Sequence, residues 1–479
     1  MYLGIDVGTS GVKAVLVDAS GTVQAQASAP LAVLRPAPLW SEQNPSDWWN
    51  ATQAAVAELP AELRAGVRAI GLAGQMHGAT LLGADDKPLR PAILWNDGRS
   101  FAECVELEAA EPQSRAITGN LAMPGFTAPK LAWVRKHEPE IFGAVASVLL
   151  PKDYVRLLMT GDKASDMADS AGTLWLDVAK RDWSDAMLAA TGLSRANMPS
   201  LFEGTQPTGV LRSEVAASWG MARVPVAAGG GDNAAGAAGV GVIGEGDAFL
   251  SLGTSGVIFV ATGAFRPNPA RAVHAFCHCL PDTWHQMSVH LSAASCLDWA
   301  AANASLDVAA FLALAEQAGP AGGPELFLPY LSGERTPHND PHVRGAYLGL
   351  GNESDAGRMA AAVLEGVAFA HADGLDALRE AGTYVEELTV IGGGARSRHW
   401  GSILAAVLDV RLAYRDGGEV GPALGAAKLA QVAIGDATVA EACTRPPLRE
   451  MIEPDPELAE HLAPKLAKFR RAYAAIRDI

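Results

Sequence analysis

Cysteine is scarce: five in 479 residues, an odd number at irregular positions (Cys104, Cys277, Cys279, Cys296, Cys443), so no disulfide framework can be read and a reducing, cytoplasmic setting is expected. Positive charge is also in short supply. Lys and Arg number 37 against 53 Asp and Glu, a formal net charge of −16, which argues against a nucleic-acid partner recognised by clustered basic side chains. Long apolar runs are few, and the most span-like stretch, residues 224–243, holds Asp232 and Asn233 among glycines. A carboxylate at the centre of a span costs roughly 2.5–3.5 kcal/mol on insertion scales, so no membrane partner is expected. The N-terminus carries neither a basic n-region nor a cleavage site, so an export signal is not expected either. The P-loop pattern G-x-x-x-x-G-K-[ST] and the nucleophile elbow G-x-S-x-G are missing, which sets aside P-loop kinases and α/β-hydrolases.

Glycine, by contrast, is plentiful and patterned. Gly-Thr-Ser-Gly-Val occurs twice, as Gly8 to Val12 and Gly253 to Val257, each time after an apolar run that reads as a strand. Strands are expected over residues 2–6 and 12–17 around the first copy, and over 248–252 and 257–261 around the second. Successive backbone N–H groups in such a turn, with Thr and Ser hydroxyls, form an anion-binding concavity suited to phosphate. One copy alone reads equally well as a tight hairpin; two copies suggest ATP held between two related domains.

Length allows two to four domains. Strand-like runs (69–73, 92–95, 148–150) alternate with helical patterns (45–59, 127–137), the mark of an α/β architecture. A boundary is placed near residue 245, giving halves of 1–244 and 245–479. The second half adds helical stretches at 292–302, 307–317 and 357–381, a strand at 387–391, and a helical tail after Pro456 expected to pack on the outside.

Several residues could carry chemistry. Asp6, beside the first turn, can hold Mg²⁺, which takes few protein ligands, or can cap the turn. Lys13 can reach a phosphate or face solvent. Asp232 follows three glycines in an apolar segment: it is an N-cap, or a general base accepting the proton of an attacking hydroxyl. Gln75, Met76, His77 and Gly78 follow the strand 69–73 at the end where open sheets bind ligands; the Gln75 amide and the His77 imidazole could hydrogen-bond a polyhydroxylated substrate, or His77 is structural. Trp95 to Arg99 ends the next strand with a similar polar set, or folds on itself by Asx turns. Gly392, Gly393, Gly394 and Ala395 form a turn that lets backbone lie flat against a nucleotide. Gly417-Gly418 and the glycine-alanine run from Gly421 read as another such turn or as tight helix packing. Gly239 to Gly244 matches G-x-G-x-x-G without the strand before it, and the His/Cys group between His274 and His290 fits no usual zinc spacing.

Taken in order, the Asp-x-Gly-Thr hairpin, the Gly-Gly-Asp element, the second Gly-Thr-Ser turn and the Gly-Gly-Gly turn resemble the FGGY carbohydrate kinases, a branch of the actin-like ATPases, from Met1 to about Ala430. Residues 39–43, 74–78, 94–99, 150–154 and 333–338 resemble the members that act on xylulose. The resemblance implies two ribonuclease-H-like domains with the active site in the cleft between them, ATP and Mg²⁺ as cofactors, and D-xylulose as acceptor. It implies Asp232 as base and Asp6 as the magnesium-associated carboxylate. Met76, His77 and Asn233 would contact the sugar. Gly8, Thr9, Ser10 and Lys13, with Gly253, Thr254 and Gly392 to Ala395, would hold the nucleotide. A homodimer is a further expectation from the resemblance. Alternatives are an FGGY kinase for ribulose, gluconate or glycerol, and an actin- or chaperone-like ATPase switch.

Overall fold

Both expected hairpins form, and each seeds a seven-stranded sheet in a computed structural model that describes residues 1–319, 322–416 and 421–477. The turn read at Gly417-Gly418 lies outside the described residues, as do residues 320–321 of the loop after Gly319.

The first sheet is built from β1 (Tyr2–Val7), β2 (Gly11–Val17), β3 (Val23–Pro30), β4 (Ala69–Gly74), β5 (Pro207–Val210), β6 (Pro225–Ala227) and β7 (Gly230–Gly231). Its order is β5-β6-β4-β1-β2-β3, with β7 also beside β4. The second contains β8 (Ala248–Leu252), β9 (Gly256–Thr262), β10 (His274–Cys277), β11 (Trp284–His290), β12 (Glu387–Ile391), β13 (Arg411–Arg415) and β14 (Leu448–Ile452), in the order β10-β11-β9-β8-β12-β13-β14. In each sheet the opening strand pairs antiparallel with the next and parallel with a later one. The same five-strand core, β3-β2-β1-β4-β6 and β11-β9-β8-β12-β13, therefore occurs twice, the ribonuclease-H-like arrangement in duplicate.

Alternation along β1 explains how each face is used. Leu3, Ile5 and Val7 point to one side, where Trp48, Ala55 and Val56 of α1 (Pro45–Ala57) and Val155 and Leu157 of α2 (Pro151–Thr160) cover them. Tyr2 points to the other side with Val15, Val17 and Ala69, so Gly4 and Asp6 share that face. Two helices pack on each other and on the first sheet: α3 (Asp232–Gly239) and, after α4 (Ala294–Asn303), α5 (Ala356–Glu380) and α6 (Arg398–Leu408), α7 (Gly421–Ala433). The last strand is followed by α8 (Pro456–Ile476), whose Leu462 and Phe469 are buried against the second core.

Although α7 belongs to the second half in chain order, Ala423, Ala427 and Ala430 pack on Tyr2, Val15 and Ala69 of the first sheet. The carbonyls of Ala423 and Ala426 occupy the places where Gly4 and Gly71 would carry a Cβ, and Gly425 meets Ala235 of α3 in the same way. Of the two readings of the glycine-alanine run from Gly421, tight helix packing is the one observed. Among the described residues no single helix is long and apolar enough to cross a membrane.

Candidate active site

Three parallel strand ends bring the first group of candidates together. Asp6 stands opposite Ala73 and Val7 opposite Gly74, while Gly230 and Gly231 pair with Ala73 and Gly74 from the other side. Asp6, the loop beginning at Gln75, and Asp232 therefore leave one sheet at one level, the carboxyl edge where open α/β sheets place ligands. Gly229 makes this register attainable: its φ is +76°, and the Leu72 carbonyl fills the space a Cβ would need.

Asp232 is the first residue of α3, with Gly231 as the cap, so it does not serve as the N-cap. Its Oδ1 accepts from the Asn233 backbone N–H at 2.7 Å and from Asn233 Nδ2 at 2.9 Å. Among the described residues Oδ2 takes no such bond. Burial pushes the Asp232 carboxyl up to about 6, against the downward pull of Asn233. Asp6 is pushed up to about 7 by burial and by the Asp232 charge, with Lys13, its cross-strand partner, pulling the other way. Among the described residues Asp6 Oδ1 is buried with no hydrogen-bond partner. Such an oxygen is costly to leave bare, and a hard cation that takes one or two carboxylates with water and phosphate oxygens fits it.

The first turn is tied to the loop after β4. Thr9 Oγ1 donates to Gln75 Oε1 at 3.0 Å and accepts from Trp95 Nε1 at 3.0 Å, while Gln43 Nε2 donates to the Thr9 carbonyl at 2.7 Å. The Thr9 proton is thus committed, and its backbone N–H takes no bond among the described residues. Ser10 is exposed.

His77 holds a left-handed backbone, φ +69°, a conformation that costs of order 1–3 kcal/mol in a non-glycine residue and is held by its surroundings. Its Nδ1 lies 2.6 Å from the Gly172 carbonyl, which can only accept, so Nδ1 carries the proton and Nε2 is an acceptor. Burial, with the Lys130 charge, pushes the imidazole down to about 3, so it stays neutral through the working range. Gly172 is positioned in turn by the helix Met167–Ala171. Asp166 caps that helix, and Lys152 bridges Asp153 and Asp166 at 2.6 Å each and Asp169 at 3.2 Å, all fully buried. Met76 is buried, and its side chain fills the space where Gly231 would carry a Cβ.

A cavity beside His77 is lined by Trp95, Met123, Gly125 and Phe126 of the first half and by His274 and Arg335 of the second. His77 meets Phe126 edge to face at 4.9 Å. Residue-type reasoning did not find Phe126, His274 or Arg335 as site members; the signal was the 333–338 motif, whose partner in space no local pattern names. Asp97, from the polar set 95–99, folds back on Arg99 as an Asx turn and accepts from the Ser41 N–H, so it serves the loop itself.

The second turn, Gly253 to Ser255, leaves the sheet next to the glycine triplet, because Ser251 of β8 stands opposite Ile391 of β12. The Gly253 and Thr254 carbonyls accept from the N–H groups of Ala294 and Ala293 at the start of α4. Gly393 to Arg396 form a 3₁₀ turn running into α6. Behind this hairpin Gly256 lies flat against the His371 ring, with no room for a Cβ. The His/Cys group is buried, with His274 also lining the cavity, and no cluster of three or more metal-ligating side chains is present among the described residues.

Comparison with known proteins agrees with this geometry. Residues 1–239 match the N-terminal domain and residues 248–434 the C-terminal domain of the FGGY family of carbohydrate kinases. The chain is 56% identical to a xylulose kinase of Escherichia coli strain K12 over 476 residues, covering 99% of this chain and 98% of that one. A xyloylose kinase structure from Brucella ovis superposes with a TM-score of 0.96 at 50% identity, covering 100% and 99% of the two chains. A Plasmodium falciparum glycerol kinase with ADP shares the fold, with a TM-score of 0.88 at 18% identity over 99% and 97%. With paired ribonuclease-H-like domains, a carboxylate pair at the first turn and both halves matched, the chain belongs to the FGGY family of carbohydrate kinases.

Proposed function

We propose that the enzyme transfers the γ-phosphoryl group of ATP to the 5-hydroxyl of D-xylulose, giving D-xylulose 5-phosphate and ADP. One structural observation carries the chemistry: Asp232 keeps Oδ2 open while Asn233 fills Oδ1, and its pKa, near 6, leaves it ionised at neutral pH yet able to accept a proton. The choice of xylulose rests on whole-length likeness to xylulose kinases.

In this reading Asp232 aims the hydroxyl and takes its proton as the new P–O bond forms; in a loose transition state positioning matters more than basicity. The His77 Nε2 lone pair accepts from a sugar hydroxyl, and Met76 and Asn233 complete the acceptor side. ATP with Mg²⁺ is the phosphoryl donor in this family. Asp6 would hold the ion, which when bound neutralises charge on the phosphate oxygens. The first turn, Gly8 to Ser10 with Lys13, would face the transferring phosphate, while Gly253-Thr254 and Gly392 to Ala395 would hold the rest of the nucleotide. The metal and base duties, with most acceptor contacts, thus fall to 1–244 and most nucleotide contacts to 245–479. Closure of the halves on the sugar would exclude water that otherwise hydrolyses ATP.

A coupled ADP-release assay over D-xylulose, ribulose, gluconate and glycerol tests this, with D-xylulose expected to give the highest kcat/KM. A higher value for another acceptor refutes the substrate. Sugar-independent hydrolysis with nucleotide-dependent peptide binding favours an ATPase switch instead. We also propose a cytoplasmic homodimer; the five buried free cysteines suit a reducing compartment, and sedimentation at working concentration reads the mass.

A further inference from the structure

One wall of the acceptor cavity comes from the second half, and its polar groups are set in sequence. Asn120 Nδ2 donates to the Thr118 carbonyl at 2.8 Å and the Ala275 carbonyl at 2.9 Å, which fixes the amide with Oδ1 as acceptor. His274 Nδ1 lies 3.0 Å from that Oδ1 and so carries the ring proton, leaving Nε2 to accept from Arg335 Nη1 at 3.3 Å. Burial and the Arg335 charge hold His274 well below the usual imidazole range, so the ring keeps this lone pair.

Arg335 is a cation with an unusual setting. Its neighbour Glu334 spends one carboxylate oxygen on the N–H groups of Leu291 and Arg335 and lies 3.2 Å from His290 Nδ1 by the other. Among the described residues no carboxylate lies within ion-pair distance of the guanidinium, which instead lines the cavity opposite His77. The guanidinium is half-buried in this wall, and its donors other than the one on His274 are left for water or for a ligand that enters the cavity. The groups facing the cavity are complementary: His77 Nε2 only accepts and Arg335 only donates.

We propose that Arg335 reads the C2 carbonyl oxygen of the 2-ketose acceptor, with His274 and Asn120 as positioning residues that aim it. This rests on the reading of the acceptor as D-xylulose. The cavity lining does not include Asp232, so with the 5-hydroxyl at the base the carbonyl end of the sugar is the part left for this wall. A carbonyl oxygen accepts and brings no proton. A hydroxyl at the same carbon brings one, and His274 Nε2, the acceptor beside the guanidinium, is already taken. Sites built for a specific polar partner reject analogues that mismatch it.

The experiment compares D-xylulose with xylitol, which carries a hydroxyl in place of the carbonyl, for the parent enzyme, Arg335→Met and His274→Leu. In Arg335→Met the xylulose-to-xylitol ratio of kcat/KM falls on the order of tenfold or more, the effect of losing a charge-assisted hydrogen bond, while the KM for ATP stays within about twofold. His274→Leu, which keeps the guanidinium but releases its aim, shows a smaller fall in the same ratio. If Arg335→Met does not fold, His274→Leu alone decides. An unchanged ratio, an equal loss for both sugars, or a loss confined to the KM for ATP overturns the proposal. A parent enzyme inactive on D-xylulose overturns instead the substrate reading, which separates the two failures.

Discussion

The two copies of Gly-Thr-Ser-Gly-Val are identical in sequence and different in structure. In the first, Val7 pairs with Val12 and Gly8 N–H bonds to the Gly11 carbonyl; in the second, Leu252 pairs with Gly256 and Gly253 N–H bonds to the Ser255 carbonyl. The register differs by one residue, and in a strand of period two that exchanges the faces of everything downstream. Lys13 therefore stands beside Asp6 facing the cleft, while its counterpart Ile258 is buried in the second core and Ser251 pairs with Val257. The hydroxyls differ too: Thr9 is bonded to Gln75 and Trp95, whereas Thr254 is exposed. A shared turn motif thus fixes only its own five residues, and the strands around it decide which side chains stand beside it.

The strongest way to break this contrast is to move the acid. Asp232→Ala should lower kcat at least about 10²-fold, the low end for a lost general base, with ATP binding by fluorescence titration retained. Adding Ser251→Asp to that variant should restore nothing; recovery would mean the two turns are interchangeable.

Next in size is Gly256→Ala, where the new methyl group meets the buried His371 ring. The KM for ATP should rise several-fold more than that for the sugar, because the second hairpin alone is displaced. Equal rises in steady-state kinetics would show that both turns move together.

A finer comparison sets Thr9→Val against Thr254→Val. The first removes bonds to Gln75 and Trp95 and should raise the sugar KM a few-fold along with a fall in kcat, each neutral hydrogen bond being worth about 0.5–1.5 kcal/mol. The second should leave the sugar KM alone.

The smallest effect is on stability. Asp6 and Asp232 have folded pKa values raised to about 7 and about 6, so between roughly pH 4 and 7 the folded chain binds more protons than the unfolded one and the free enzyme loses stability as pH rises. Asp6→Asn should therefore raise Tm at pH 7.5 without Mg²⁺ or nucleotide, by a few degrees, and flatten the pH dependence. Calorimetry of the ligand-free protein that shows a lower Tm would mean Asp6 is a structural carboxylate.

Local order was readable and long-range order was not. Hairpins, the strand 387–391, the helix 127–137 and the glycine triplet follow from turn residues and periodicity, and all appear where that chemistry puts them. Asp6, His77 and Asp232 stood out by local signals, Asp6 among the last, turn-side residues of β1 and the other two just past strand ends. The one-residue register difference was invisible, since it is set by the strands on either side of the pentapeptide. Arg335 and His274 were equally hidden as a pair: 61 residues separate them, and Asn120, which orients the histidine, is 154 residues from it. The docking of α7 on the first sheet depends on Gly4 and Gly71 leaving room for its backbone, a match between glycines that no single segment displays.

That returning helix has a consequence for taking the molecule apart. A gene cut near residue 245 would yield a first fragment whose sheet exposes Tyr2, Val15, Val17 and Ala69 where Ala423, Ala427 and Ala430 belong. Such a fragment should be sticky by itself yet bind its missing helix avidly. Splitting instead after α7 would keep the first sheet covered but would strip β14 and α8, with the buried Ile452, Leu462 and Phe469, from the second, so each half of the enzyme is completed by chain that lies beyond its own sequence boundary.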